Sequence, residues 1–311
     1  MEYANETELE VVLKGYCKRD LSFLHIGSGS NLLFLNDFNG IVFHSAIKGI
    51  TLAGETDDAV FVRIGAAEIW DDVVAYAVRY GWGGIENLSL IPGETGAAAV
   101  QNIGAYGIEI KDVIEHIETI DTLNFEKRFF SNDDCKYGYR TSLFKNNPNY
   151  IITCVTLRLQ KHPELHLEYG NLKGFFSASE PATLQNVREA IITIRQKKLP
   201  DPDELGNAGS FFKNPVVTQK KLMHLQKSYP TIPFYPATKG NVKLSAGWLI
   251  EQCGLKGKRI GQVGTYEHQA LVIVNYGGAT GKEIAQFADH ICDTVHQHFG
   301  ILLEPEVQYV S

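Results

Sequence analysis

A chain of 311 residues, 44% apolar and 21% charged, is long enough for roughly two or three domains and holds enough apolar surface for a sizeable core. Its net charge of −7 argues against a general nucleic-acid or membrane-surface binder, which needs an excess of Lys and Arg on one face. A local basic pocket for one phosphorylated ligand remains compatible with that charge.

No run of about 18 apolar residues occurs, so no membrane insertion is expected. The start MEYANETELE is acidic and polar, without the basic and apolar regions of a secretory signal, and a cytoplasmic location follows as the expectation. Cys17, Cys135, Cys154, Cys253 and Cys292 are odd in number and widely spread, which reads as free thiols in a reducing compartment.

In chain order, Leu9, Val12, Leu13 and Tyr16 share a helical face, so a short amphipathic helix comes first. Ser22–Ile26 reads as a strand, Gly27-Ser28-Gly29-Ser30-Asn31 as a turn, and Leu32–Leu35 as a strand again. Asn39-Gly40 turns the chain into a strand at Ile41–Phe43, and another follows at Val60–Ile64. A helix over Trp70–Tyr80 ends on Gly81. Strands at Ile117–Ile120 and Tyr150–Leu159 follow, then a helix from Leu184 to Lys198 capped by Thr183. Pro200 and Pro202 stop that helix, and a domain boundary is placed there.

Beyond it, a helix over Ala246–Cys253 ends on Gly254, and Leu271–Val274 is a strand. Thr280 and Glu283 form a capping box for a helix that buries Ile284, Phe287, Ala288, Ile291 and Val295. The last strand spans Leu302–Val310, where Pro305 implies an edge or a bulge. Helices and strands are mixed without regular βαβ alternation, which predicts an α+β fold.

Three segments could carry chemistry. Small residues at Gly27, Ser28, Gly29, Ser30 and Asn31 can present successive backbone N–H groups to a pyrophosphate, although a plain hairpin turn fits them equally well. A Rossmann fingerprint is excluded, because Leu32 holds the third glycine position and a strand follows. The tract from Ile91 to Gly107 has four glycines and four alanines in seventeen residues. Such a backbone can lie against a flat or anionic ligand, which is favoured over a tight loop packed on another backbone. In Gly206–Pro215, Ser210 precedes two phenylalanines. A turn entering a strand accounts for it on local grounds, and no Gly-x-Ser-x-Gly elbow is present.

Thr280-Gly281-Lys282-Glu283 fails as a P-loop, since Glu283 stands where Ser or Thr is required. His162 and His166 lack the zincin glutamate, and no metal site is expected.

The stretches HIGSGSNLLF, GGIENLSLIPGETGAAAVQNIGAYGIEIKD, CKYGYRTSLFK, KKLPDPDELGNAGSFFKNPVV, KLSAGWLIEQCGLKGKRIG, HQALVIVN and LLEPEVQYV occur in one order from about residue 20 to the C-terminus. In them the chain resembles the UDP-N-acetylenolpyruvoylglucosamine reductases, in the subclass with a substrate-capping tyrosine loop. The resemblance implies an FAD-binding scaffold of the vanillyl-alcohol-oxidase type in two subdomains, residues 1–46 and 47–199. A substrate domain would span 200–311, its last strand returning toward the FAD domain.

It also implies a reaction. NADPH would reduce FAD, and reduced FAD the enolpyruvyl ether of a UDP-linked amino sugar, giving UDP-N-acetylmuramate for peptidoglycan. Gly27 to Asn31 and Ile91, Pro92, Gly93, Gly96, Ala97, Gln101, Asn102, Gly104, Ala105, Tyr106 and Gly107 would surround FAD. Arg140 and Glu306 would hold the substrate carboxylate and its enolate, and Ser210 would deliver a proton to C2. Tyr169 would close over the nucleotide, with Lys198, Asn214, Tyr235, Lys256 and Gln269 contacting the nucleotide sugar. A monomer is expected.

Family members usually place a strand before the first helix. Met1 lies almost at the helix here, so that strand is expected to be missing or its start set late, with weaker FAD binding. The alternatives are another FAD-dependent oxidoreductase on the same scaffold, or a non-catalytic protein that binds flavin or nucleotide sugar.

Overall fold

A computed structural model describes residues 1–17, 22–169, 172–176 and 181–311, apart from the side chains of Tyr16 and Cys17. The chain forms two compact units, one of residues 1–29 with 39–195 and one of residues 30–38 with 196–311.

The first unit is built on a five-stranded antiparallel sheet in the order Lys127–Ser131, Ile114–Asp121, Tyr150–Gln160, Ala59–Gly65 and Ile50–Glu55. Its central strand, YIITCVTLRLQ, is nearly continuous in apolar and β-branched residues, as a strand covered on both faces should be. Ile152, Val155 and Leu157 join the core with Trp70, Val73, Val74 and Ala77 of the helix Trp70–Arg79. Ile151 and Cys154 instead join a second cluster with Tyr3, Leu9, Leu13 and Phe43. A register shift between Ile152 and Cys154 accommodates this change of side.

A small parallel sheet places Ile41–Ser45 between Glu2–Tyr3 and Phe23–Ile26. The N-terminal strand is therefore present, contrary to expectation. Two residues suffice because the Tyr3 ring is buried and its hydroxyl lies 2.6 Å from His25 Nε2. The hairpin reading of residues 22–35 is also corrected. Phe23–Ile26 pairs with Ile41–Ser45, whereas Leu32–Phe34 pairs in parallel with Gln308–Val310 in the second unit. Residues 27–31 thus carry the chain from one unit into the other.

The second unit holds an antiparallel sheet of Gly206–Ser210, Val272–Asn275, Val263–Thr265 and Arg259–Ile260, and a three-stranded sheet of Val216–Thr218, Asn241–Leu244 and Phe234–Pro236. The helix Gly281–Phe299 buries Phe287, Ala288, Ile291, Val295 and Phe299, and both halves of the Thr280–Glu283 capping box form. The last strand is shorter than the sequence suggests, only Gln308–Val310. Pro305 lacks the N–H a ladder needs and makes one isolated bridge, to Phe212.

Among the described residues, no helix is long and apolar enough to cross a membrane. The four cysteines with described side chains are unpaired, and burial raises the Cys135 thiol to about 12.

A Cβ added at Gly281 would lie 1.8 Å from the Phe34 carbonyl oxygen, so the segment 30–38 runs against the helix start with no room for a side chain. Gly281→Ala should lower the stability of the second unit by about 1–3 kcal/mol, read as a lower midpoint in denaturant titration. An unchanged midpoint would mean that the 30–38 segment moves away freely.

Candidate active site

The tract 91–107 is not wholly a loop. Three consecutive alanines favour helix, and Thr95–Gln101 is helical, with Ala98 and Ala99 buried. Gly96 permits this packing, since a Cβ there would approach Ala66 Cβ to 2.9 Å. The helix ends at Asn102, which is left-handed at φ 47° and fully buried. Its Nδ2 donates to Glu109 Oε2 at 3.1 Å and to the Gly138 carbonyl at 2.8 Å, while its Oδ1 accepts from Lys111 N at 3.2 Å. One side chain thus ties three segments together.

The turn after Phe23–Ile26 reaches the same place. A Cβ at Gly27 would lie 3.1 Å from both Ala97 Cβ and Glu94 Oε2. Gly29 is left-handed at φ 75° with nothing within 4 Å of its Cβ position. Glu94 Oε1 meets His44 Nε2 at 2.8 Å, and His44 Nδ1 meets Glu2 Oε1 at 3.0 Å. Burial opposes protonation of His44, but the two carboxylates outweigh it and raise its pKa.

Arg140 stands against this tract. Its Nη2 donates to the Gly104 carbonyl at 2.6 Å and its Nη1 to the Asn102 carbonyl at 3.3 Å. A Cβ at Gly104 would lie 2.9 Å from Arg140 Nη1 and from the Ile108 carbonyl oxygen, so only glycine admits the guanidinium there. Arg140 is itself left-handed at φ 55°, as are Leu90 and Tyr106. Of the seven described non-glycine residues with positive φ, Leu90, Asn102, Tyr106 and Arg140 lie in or against this one tract. Each costs roughly 1–2 kcal/mol, so strain is concentrated where function was expected. Tyr169 closes the group. Its ring meets Tyr106 edge-on at 6.4 Å, and its Cβ lies 3.6 Å from the Cβ position of Gly107.

Two arginines escaped the sequence reading. Arg188 forms a bidentate pair with Asp71 at 2.6 and 2.8 Å, and Asp71 Oδ1 accepts from Leu90 N at 2.5 Å. Arg195 Nε donates to the Leu90 carbonyl at 3.1 Å, and burial lowers its pKa. Together they hold the turn that leads into Pro92 and Gly93. Their spacing of seven residues, beside Val187, Ile191 and Ile194, puts both on the buried face of one helix and was a readable signal.

The second unit holds Ser210 and Glu306. Phe211 and Phe212 are buried, at 2% and 1% exposure, and leave Ser210 exposed at a strand end. Phe211 N donates to the Leu271 carbonyl, and the Phe211 carbonyl accepts from Glu306 N, each at 2.8 Å. This brings the backbone of Glu306 beside that of Ser210. Asn31 joins them, its Nδ2 donating to the Glu306 carbonyl at 3.1 Å and its carbonyl accepting from Gln308 N at 3.0 Å. Ser30 and Asn31 belong to this unit, whereas Gly27, Ser28 and Gly29 belong to the other.

Asn214 and Gln269 converge on the start of the helix Ala246–Gln252. Asn214 Oδ1 accepts from Ala246 N at 3.0 Å, and Gln269 Oε1 lies 3.0 Å from the Cβ position of Gly247. Tyr235 is paired with Lys243 on the strand leading to that helix. Lys256 pairs with Glu251 at 3.1 Å, and Lys198 is exposed at the end of the helix Leu184–Lys198.

A glycine cradle in which a Cβ at Gly27 would already be crowded, with backbone strain gathered around it, fits a flat anionic cofactor. Residues 1–123 match an FAD binding domain, so the chain is a flavoprotein of α+β class. Residues 201–310 match the C-terminal domain of UDP-N-acetylenolpyruvoylglucosamine reductase. The reductase of Porphyromonas gingivalis W83 is 50% identical over 314 residues, covering 100% of this chain and 93% of that protein. That of Bacteroides fragilis NCTC 9343 is 45% identical over 312 residues, with the same coverage. The crystal structure of UDP-N-acetylenolpyruvylglucosamine reductase from Thermus caldophilus is similar in fold, with a TM-score of 0.70 at 23% identity over 100% of this chain and 91% of that one. The chain belongs to the UDP-N-acetylenolpyruvoylglucosamine reductase family.

Gly27→Val would drive a branched side chain into Ala97 and the Glu94 carboxylate. It should weaken FAD binding by about tenfold or more while the far-ultraviolet spectrum stays native, read by titration of flavin fluorescence. Unchanged affinity would remove Gly27 from the cradle.

Proposed function

We propose that Arg140, Ser210 and Glu306 carry the chemistry by which this FAD-dependent enzyme, with NADPH as reductant, converts UDP-N-acetylglucosamine enolpyruvate into UDP-N-acetylmuramate. The reading is supported above all by Arg140, held in a strained conformation by two carbonyls of the glycine-rich tract. A residue kept there at such cost has work to do beyond a surface ion pair.

Bound FAD supplies hydride acceptance from NADPH and hydride donation to the enolpyruvyl group. Gly27, Gly29 and the tract 91–107 would hold it by backbone approach. Addition at C3 of the enolpyruvyl group pushes negative charge through C2 onto the carboxylate. A fixed guanidinium at that carboxylate is worth most when the charge develops, because it needs no reorganisation. Arg140 would fill this role. Glu306 would bind the same end, where it must be protonated or paired with arginine to sit beside a carboxylate.

Ser210 would give its hydroxyl proton to C2. A serine is a weak acid, so it can serve only an acceptor as basic as an enolate carbon held within hydrogen-bond reach. The buried rings of Phe211 and Phe212 fix the backbone that presents it. Tyr169 would cover the nucleotide, with Asn214, Tyr235, Gln269, Lys198 and Lys256 as contacts to the UDP-sugar. In this reading the FAD-binding part divides at residues 1–46 and 47–199, the substrate domain is 200–311, and the enzyme acts as a cytoplasmic monomer.

Ser210→Ala should retain NADPH-dependent bleaching of the flavin but lose turnover of the enolpyruvyl sugar by about 10²–10⁴-fold. Anaerobic stopped-flow absorbance with and without the sugar separates the two half-reactions. Near-normal turnover would exclude Ser210 as the proton donor.

A further inference from the structure

Asn87, of the stretch GGIENLSL, was given no role by the sequence, yet it is fully buried beside the glycine-rich tract. It sits in the short turn Glu86–Leu88, between Ile85 and Leu88, both at 0% exposure in the core. The turn is fixed on several sides. Trp70 Nε1 donates to the Leu88 carbonyl at 3.0 Å, Ser89 Oγ to the Glu86 carbonyl at 2.6 Å, and Gly84 N to Glu86 Oε2 at 2.7 Å. Asn87 therefore projects from a rigid base.

Its Nδ2 donates to two carbonyls from distant parts of the chain, that of Tyr106 at 2.9 Å and that of His166 at 2.8 Å. Both partners only accept, so the amide has one workable orientation. Among the described residues its Oδ1 has no hydrogen-bond partner, and the two N–H bonds offset the burial of this polar group. The contacts this buried asparagine makes are those of its NH₂ end.

The two segments it joins meet again at Tyr169 and Gly107. His166 leads to Tyr169, and Tyr106 leads to Gly107, against which Tyr169 packs. Tyr169 also meets the Tyr106 ring. Between the two contacts the chain alternates, with Leu165 and Leu167 packed on Val187, Ala190 and Ile191 of the long helix, and His166 and Glu168 exposed. Apolar packing holds the segment to the helix. The Asn87 bond fixes where it stands along the glycine-rich tract, which apolar contacts alone leave free to slide.

We infer that Asn87 is a positioning residue for Tyr169, its single amide stapling the chain before that tyrosine to the tract on which the ring rests. The inference depends on the reading of Tyr169 as the cover of the substrate. Asn87 touches neither the sugar nucleotide nor the reacting atoms in this account. It acts through the backbone at positions 106 and 166.

The test compares Asn87→Leu, Asn87→Ser and Tyr169→Ala with the unaltered holoenzyme, measuring KM for UDP-N-acetylglucosamine enolpyruvate, kcat, and the rate of flavin reduction by NADPH. Asn87→Leu keeps the volume and removes both bonds. Asn87→Ser keeps a small polar group should the leucine variant fail to fold. Both asparagine variants should raise KM about tenfold, with kcat and flavin reduction changed less than threefold. Hydrogen exchange at residues 163–169 should quicken, while exchange in 184–195 does not.

Tyr169→Ala should raise KM at least as much. If it does and the folded asparagine variants keep normal KM, the role of Asn87 is refuted. If Tyr169→Ala leaves KM unchanged, the covering role of Tyr169 fails first. If flavin reduction falls in step with turnover in the asparagine variants, Asn87 serves only the stability of the flavin site.

Discussion

The constraint on which the first unit depends is close approach of backbone to backbone around the tract 91–107, the surface proposed to receive a flat, charged cofactor. Side chains are the obstacle, so the tract from Ile91 to Gly107 is made of the smallest residues, and Gly27 meets it where even a methyl group is crowded. Small residues alone would leave a floppy chain. The remedy is a set of buried polar anchors: Asn102 ties three segments, Arg188 and Asp71 hold Leu90, and Arg140 bonds back to two carbonyls. The strain at Leu90, Asn102, Tyr106 and Arg140 persists because these anchors over-determine the backbone.

In the second unit an exposed hydroxyl, that of Ser210, stands at the end of the strand Gly206–Ser210. Phe211 and Phe212 plug the core, Leu271 and Glu306 bond to the Phe211 peptide on its two sides, and Ser210 is left at the surface. Asn31 extends this arrangement by bonding to the Glu306 and Gln308 backbones. Within the turn 27–31, Gly27, Ser28 and Gly29 belong to the first unit and Ser30 and Asn31 to the second.

Regular periodicity made much of the architecture readable. The helix Gly281–Phe299 announced itself by its capping box and apolar face, and the helix Trp70–Arg79 by its spacing and Gly81. Pairing was less accessible. Leu32–Phe34 finds its partner at Gln308–Val310, and nothing local to residues 22–35 distinguishes that from a hairpin. The two-residue strand Glu2–Tyr3 falls below what a pattern can reveal, and its stability comes from one buried ring. The helix Thr95–Gln101 was hidden by the glycines around it, whose purpose is close approach rather than flexibility. Asn87 and Arg195 gave no sign of a role in the sequence, since what they do depends on which backbone carbonyls the tertiary fold brings to them.

We propose that a guanidinium of fixed plane and position, that of Arg140, rather than a positive charge in general, receives the developing carboxylate charge. Arg140→Lys keeps the charge and discards the planar fork. Measured by single-turnover oxidation of the reduced flavin with the enolpyruvyl sugar, this variant should be slower by about a hundredfold while NADPH still reduces the flavin normally. A lysine variant that oxidises at the unaltered rate would contradict the account, because the held geometry of residue 140 would then do nothing for the reaction.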